Sequence, residues 1–468
     1  MILAAGQSVH GEASRLDCTV KQFLGGGGQG EVYRALMVDR PVALKWYLPH
    51  AATEQQRFRL ATIVKKGPPT AQFLWPGELA SSSRASGFGY IMPLREPRFR
   101  GIAELMRQKL DPSFRTLATM AFSLAHNFLQ LHSKGLCYRD ISFGNVFFDP
   151  ANGEILICDN DNVTVDGDPE TGILGTPRFM APEIVLRRAV PSIQTDLYSL
   201  AVLLFYIFFM HHPLEGRREA EIHSFDLAAM TRLFGSAPLF IFDPDDDANR
   251  PVPGLHDNAL TFWPLYPRWF RDLFTQAFTL GLRDPAQGRV RETQWRAAAI
   301  DLRDAIYYCP HCASESFYDP GAAASAPCWQ CGAPAQLPYR LHAGRHIVML
   351  NHDTRLYPHH LDPARPYDFS EPLAAVAAHP TQPGLWGLKN LSPDPWTWCS
   401  SEQRPDPRHG GAADQREARG AAPEKSGASR RPVAPGATCT LAPGALIQFP
   451  KSEAEIRHGA VAHSATAE

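Results

Sequence analysis

Asp140 and Asn145 stand five residues apart in the segment CYRDISFGN. In a loop, that spacing lets one carboxylate meet a hydroxyl proton while the amide oxygen beside it binds a cation. Fourteen residues beyond Asn145, after the hydrophobic run EILIC, Asp159 opens the sequence DND. It offers the second acidic oxygen that Mg²⁺ needs when it bridges phosphate groups. Upstream, LGGGGQGEV holds Gly25, Gly27 and Gly30 in a GxGxxG pattern. Glycines let a backbone approach phosphates and aim N–H groups at them, because no Cβ intervenes. Taken alone, the pattern equally describes a Gly-rich hairpin without a ligand. Its setting between two strand-like runs separates it from a dinucleotide fold, in which a helix follows the glycines. Lys45, in the strand-like PVALK, is by itself an ordinary solvated lysine; its company makes it a cation for phosphate.

A second chemistry stands further along the chain. Cys309-x2-Cys312 and Cys328-x2-Cys331, separated by fifteen residues, have the spacing of a four-thiolate structural zinc site. With all four positions filled by protein, such a metal serves folding and leaves no open position for a substrate. His311 reads as a surface residue of the knuckle. Cys18, Cys137, Cys158, Cys399 and Cys439 lack such partners and read as ordinary thiols.

The elements that must position these groups follow from the pattern of the chain. Residues 17 to 100 alternate β-rich runs with one polar helical stretch near Thr53 to Lys66, and residues 101 to 308 are mostly helical. The cysteine knuckle spans 309–334. From 335 to 468 short strand-like runs are punctuated by Pro, Gly and Asn. Within this part, residues 400–435 carry Val433 as their only large aliphatic or aromatic residue, the composition of a flexible tract. Residues 1–16 read as an N-terminal tail. The expected class is α+β: a two-lobed body, a zinc ribbon and a small all-β sandwich domain.

Composition narrows the functions. The 468 residues are 44% hydrophobic and 20% charged, the balance of a soluble globular protein. Forty-six basic against 48 acidic residues leave a formal charge of −2, and no global field argues for nucleic acid or an anionic membrane. The longest apolar run, LYSLAVLLFYIFFM from Leu197, falls short of a membrane span and reads as a buried helix. The start MILAAGQSVHGEASRL lacks the basic and apolar regions of a signal peptide. The nine cysteines are an odd number in a long chain, which favours metal over disulfides. A cytoplasmic location is the expectation.

Six motifs stand in one order: GxGxxGxV, VALK, YRDxxxxN, DND, GTPRFMAPE and DLYS at Asp196. In this order, residues 17 to 308 resemble a protein kinase domain. The resemblance implies ATP and Mg²⁺ as cofactors and a protein substrate. Lys45 would grip the α- and β-phosphates, Asp140 would act as catalytic base, and Asn145 and Asp159 would hold Mg²⁺. Met92 would be the gatekeeper and Pro93 to Arg95, with Leu94, the hinge. Val32, Ala43 and Phe147 would surround the adenine. Glu54, the only acid between Lys45 and Glu78, would pair with Lys45. Asp196 would brace the catalytic loop, and Arg289 would pair with Glu183. Arg139 would read a phosphate on the activation loop, with Thr171 as the phosphosite and Thr176 as the threonine that contacts the catalytic Asp.

Four positions depart from the family pattern. Tyr138 replaces the loop His, and Asn160-Asp161 replaces the Phe-Gly after the metal-binding Asp. Ser142 stands where serine/threonine kinases carry Lys, and no cation lies in Ile141 to Gly144. The lost charge normally steadies the transferring phosphoryl group. An alternative reading is therefore a pseudokinase, a nucleotide-binding scaffold that assembles partner proteins. RDISFGN, DNDNV, DPAQGRVRETQW and the adjoining cysteine knuckle resemble bacterial kinases of tellurium-resistance-type gene clusters. That resemblance implies a role in stress signalling, with a von Willebrand A protein and a metal-dependent serine/threonine phosphatase as partners. Gly344-Arg345, His360, the turn Asn390 to Ser392 and PGALIQF are similar to a degenerate forkhead-associated domain. The phosphothreonine-reading serine and Asn-Gly-Thr turn of that family are not present as such, so the plainer reading is a β-sandwich interaction module.

Overall fold

The computed structural model describes residues 1–169, 175–382, 384–400 and 430–458, and the chain divides into two units, Met1–Arg303 and Asp304–Glu468. The first begins with a closed barrel of six strands: β1 (Ser8–Gly11), β2 (Asp17–Gly26), β3 (Gly30–Met37), β4 (Arg40–Tyr47), β5 (Glu78–Ser81) and β6 (Gly89–Pro93). The ring order is β1-β2-β3-β4-β6-β5, and β1 closes it by pairing with both β2 and β5. Closure leaves no unpaired edge. Residues 1–16 are thus not a tail. Leu3 and Val9 are buried with Cys18, Val20, Tyr33, Leu44 and Trp46 in the barrel core.

β4 is buried on both faces because the side chains of a strand alternate and each face has a partner. Leu44 and Trp46 fill the barrel. Ala43 and Tyr47 pack with Tyr90 and Met92 of β6 and with Leu60 of helix α1 (Glu54–Lys66). Lys45 shares the parity of Ala43 and Tyr47, which turns it toward the cleft. α1 starts where the Thr53 side chain accepts from the Gln56 N–H and stops at Gly67, which takes φ 69°.

Below the barrel the first unit is helical. The chief elements are α2 (Ile102–Met106), α3 (Phe114–His132), α4 (Pro182–Val185) and α5 (Ile193–Phe209). Every residue of α5 from Thr195 to Phe209 is buried. Phe205 and Phe209 both contact Trp263 and Phe274, and Phe208 packs on Tyr266 and Phe270. No helix among the described residues is long and apolar enough to cross a membrane. At the head of α5, Asp196 accepts from the backbone N–H groups of Tyr138 and Arg139 and lies 3.1 Å from His132 Nε2. Asp196 thereby fixes the segment that carries Asp140.

His132 is wedged between Asp196 and Glu292. Burial alone would depress its pKa, but the two carboxylates outweigh burial and carry it up to about 9. A group whose folded pKa is raised stabilises fully below its unfolded pKa, near 6.5, and loses that contribution as pH rises through 9. The expected loss over that window is on the order of 3 kcal/mol. His132→Gln should flatten the decline of the unfolding midpoint between pH 6.5 and 9. An unchanged slope in the variant would contradict the assignment.

The second unit starts before the first cysteine, not at it. Ile306–Tyr308 pairs antiparallel with Glu315–Phe317, and the Asn351 side chain donates to the Ile306 carbonyl at 2.7 Å. The cysteine hairpin is thus joined to the β-rich part. Among the described residues that part has two antiparallel sheets. The first runs, in spatial order, His346–Met349, Arg340–Ala343, Glu453–Arg457, Leu446–Gln448, Trp396–Cys399 and Arg430–Val433; the second runs Arg355–Leu356, Ala374–Ala378, Trp386–Asn390 and Thr438–Thr440. Leu341, Trp396, Ile447 and Ile456 from one sheet share a core with Leu356, Val376 and Leu388 from the other. The strand Arg430–Val433 falls inside the tract expected to be flexible; residues 401–429 lie outside the described ones.

Candidate active site

A cavity of about 930 Å³ opens between the barrel and the helical part of the first unit. Its roof is the turn joining β2 and β3, closed by the Gly27 N–H donating to the Gly30 carbonyl at 2.9 Å. Gly30 is a packing glycine, since a Cβ there would stand 2.5 Å from the Trp46 carbonyl oxygen. Gly25, Gly27 and Gly28 differ: a Cβ on any of them would meet nothing within 4 Å, and none has positive φ. Neither packing nor backbone conformation demands glycine at these three positions, and the bare backbone there is open to close approach by a phosphate. Val32, Ala43, Met92, Leu94 and Phe147 supply the apolar lining, and the volume suits a nucleotide.

At the floor, the Asp140 carboxylate accepts from the Thr176 hydroxyl at 2.7 Å and from Asn145 Nδ2 at 3.1 Å. Asn145 Nδ2 also donates to the Asp140 carbonyl at 2.8 Å, which leaves its amide oxygen as the atom to offer a cation. Tyr138 is buried; its hydroxyl donates to the Cys158 carbonyl and ties this loop to the strand that delivers Asp159. Asp159 takes a left-handed conformation, φ 49°, and its side chain remains 42% exposed. Asn160 is fully buried with its amide donating to the Ile157 carbonyl, where the resemblance would place a mobile Phe.

Lys45 does not pair with Glu54, which is exposed in the first turn of α1. Its ammonium, 4% exposed as a residue, lies 3.1 Å from Asp159 and 2.9 Å from both oxygens of Asp161. Tyr47 and Tyr90 donate to Asp161 at 2.6 and 3.0 Å. Burial works against charge on Lys45, yet the two carboxylates outweigh it and raise its pKa. Burial likewise opposes a charged Asp161, but Lys45 and the tyrosine hydroxyls hold its pKa below the usual range. Asp159 moves the other way: burial raises its pKa, Lys45 offsets part of the rise, and Asp161 adds to it. A cation beside Asp159 would relieve that repulsion.

The anticipated Arg289–Glu183 pair forms, with Arg289 Nη2 2.7 and 2.9 Å from the Glu183 oxygens. Arg139, expected to read a phosphate on the activation loop, is instead buried, and its Nε donates to the Asn162 carbonyl at 2.5 Å. Thr171 lies outside the described residues. Sequence reasoning missed Asp161, Tyr47 and Tyr90, although DND carried the signal in its second acid.

In the second unit Cys309, Cys312, Cys328 and Cys331 bring their sulfurs within 4.8 Å of one another. The pairs Cys309/Cys331 and Cys312/Cys328 are 3.7 and 3.6 Å apart. Thiolates about 2.3 Å from a tetrahedral ion stand roughly 3.8 Å apart, so the geometry fits such an ion. Two matching turns build it. Cys309 N–H donates to the Ser314 carbonyl and Ala313 N–H to that of Cys309; Cys328 N–H donates to Ala333 and Gly332 N–H to Cys328. Ala313 and Gly332 both take positive φ.

The family model of the protein kinase domain matches residues 98–268, a stretch that holds the loop with Asp140 and Asn145 and the acidic DND turn of this cleft. The Gly-rich turn and Lys45 precede that match, so their place rests on the geometry. The chain is 23% identical over 211 residues to protein kinase gsk3 of Schizosaccharomyces pombe, covering 44% of this chain and 54% of that protein. It is 36% identical over 117 residues to the putative ribosomal protein S6 kinase alpha-1 of Caenorhabditis elegans, covering 24% and 14%. With serine/threonine-protein kinase plk-2 of the same organism it shares 26% identity over 135 residues, 27% of this chain and 20% of the relative. The chain thus spans about half the length of the first of these relatives and less of the others.

Proposed function

We propose that the first unit is an ATP- and Mg²⁺-dependent serine/threonine protein kinase. The observation that carries this reading is the convergence of Lys45, Asp140, Asn145 and Asp159 on one cleft beneath three unconstrained glycines. Asp140, oriented by Thr176 and Asn145, would accept the proton of the substrate hydroxyl. Lys45 would hold the α- and β-phosphates, and Asn145 and Asp159 would hold Mg²⁺, which neutralises phosphate charge when bound. Ser142, with no cation from Ile141 to Gly144, favours the second reading of a nucleotide-binding scaffold without phosphotransfer. Mass spectrometry of the chain after incubation with ATP and Mg²⁺ separates the two. Phosphate on serine or threonine is the expected product, and an unmodified chain that still binds nucleotide would favour the scaffold.

For the second unit the proposal is a structural zinc ion on the four cysteines and a surface for partner proteins. The motif resemblance supports a cytoplasmic place in bacterial stress signalling of the tellurium-resistance type, beside a von Willebrand A protein and a metal-dependent phosphatase. A chain ending at Arg303 is expected to keep nucleotide binding and autophosphorylation and to lose association with those partners. Partner binding undiminished by that truncation would contradict the division of labour.

A further inference from the structure

A buried ammonium needs a counter-ion that stays with it, because a lysine left unpaired out of water is strongly destabilised. Two carboxylates reach Lys45, and they are placed differently. Asp161 is wholly buried, and four donor contacts converge on it: Lys45 at 2.9 Å on each oxygen, Tyr90 at 3.0 Å on Oδ1 and Tyr47 at 2.6 Å on Oδ2. Asp159 meets the same ammonium through one oxygen at 3.1 Å, and its side chain opens to the cleft. Helix α1 contributes no carboxylate to the pocket. Its only acid, Glu54, is exposed, and the helix reaches the cluster through Gln56 Nε2, which donates to the Tyr47 hydroxyl at 3.1 Å.

We infer that Asp161 is the positioning residue for Lys45, the fixed counter-ion that keeps the ammonium aimed into the cleft and frees Asp159 for a divalent cation. This rests on the kinase reading above and gives the two acids of DND separate tasks. Asp159 faces the cleft and exchanges Lys45 for the cation; Asp161, clamped by two tyrosines, does not. The cluster is built from β4, β6 and the turn after Asp159, so Lys45 keeps its partner whatever the position of α1. Without Asp161, Lys45 would compete with the cation for Asp159.

The test uses the full chain and a fluorescent ATP analogue titrated at a series of Mg²⁺ concentrations, with kcat and KM for ATP measured alongside. Asp161→Asn should raise the Mg²⁺ concentration for half-maximal analogue binding about tenfold, as expected when a lone carboxylate must serve two cations. Its kcat should fall more than its KM for ATP rises. Glu54→Gln, outside the cleft, should leave both readouts at wild-type values. A purely structural role for Asp161 would reduce the amount of folded protein without moving the Mg²⁺ dependence of what remains. An unmoved Mg²⁺ dependence in folded Asp161→Asn, or a shift in Glu54→Gln instead, overturns the inference. Should Asp161→Asn not fold, the Tyr47→Phe and Tyr90→Phe double variant keeps the carboxylate but removes both clamps. A shift of about threefold is then expected from two lost hydrogen bonds, and no shift in the folded double variant overturns the proposal. Absence of phosphotransfer by the wild type would refute the kinase reading, while the binding titration would still decide the role of Asp161.

Discussion

Asp140→Asn is expected to lower phosphotransfer by roughly 10²–10⁴-fold, the span of a lost general base, while nucleotide affinity stays within about threefold because no binding contact is removed. The substitution is nearly isosteric, and its new amide can keep both neighbours. The oxygen still accepts from Asn145, and the Thr176 hydroxyl can turn from donor to acceptor. What is lost is the only carboxylate of the loop placed to take a proton from a hydroxyl in the cleft. Initial rates with labelled ATP, compared with binding of a fluorescent analogue, separate the two quantities. A variant that transfers phosphate at the wild-type rate would assign the base elsewhere.

The second large effect is expected in the other unit. Cys309→Ser or Cys331→Ser removes one of four thiolates from the proposed zinc site, where metal affinity and folding would be the same free energy. Structural zinc of this kind contributes on the order of 10 kcal/mol, far more than the small core of a hairpin with two three-residue strands can replace. The variants should lose the metal and solubility, and the protein that stays folded should retain nucleotide binding in the first unit. Elemental analysis of the wild type should find about one zinc per chain. A metal-free wild type that is fully folded would refute the site.

The parts legible in the sequence are those whose chemistry is local. Asp140 with Asn145, Asp159 and the paired cysteines each lie within a short stretch, so spacing alone restricts their geometry. Asp161 with Tyr47 and Tyr90 could not be read this way. Two of the three stand on strands that read only as apolar runs, and the third is more than a hundred residues from Tyr47. Glu54 is the expected partner because it is the only acid between Lys45 and Glu78, but the charge of Lys45 is met by Asp159 and Asp161. Strand β1, SVHG, is too short and mixed to show alternation; its role appears only once β2 and β5 flank it. Arg430–Val433 hides for a related reason. It is an edge strand, and an edge tolerates the Pro432 and the two arginines that mark the run as loop in sequence.

The most direct test of the central claim, that this cleft moves a phosphoryl group, is the time course of labelled γ-phosphate appearing on serine or threonine in the purified full chain, with Mg²⁺ and with Mg²⁺ chelated. The account predicts transfer that requires Mg²⁺ and stops on chelation. Nucleotide bound in the cleft with no label on protein at any Mg²⁺ concentration, on the chain itself or on added protein substrates, would contradict it.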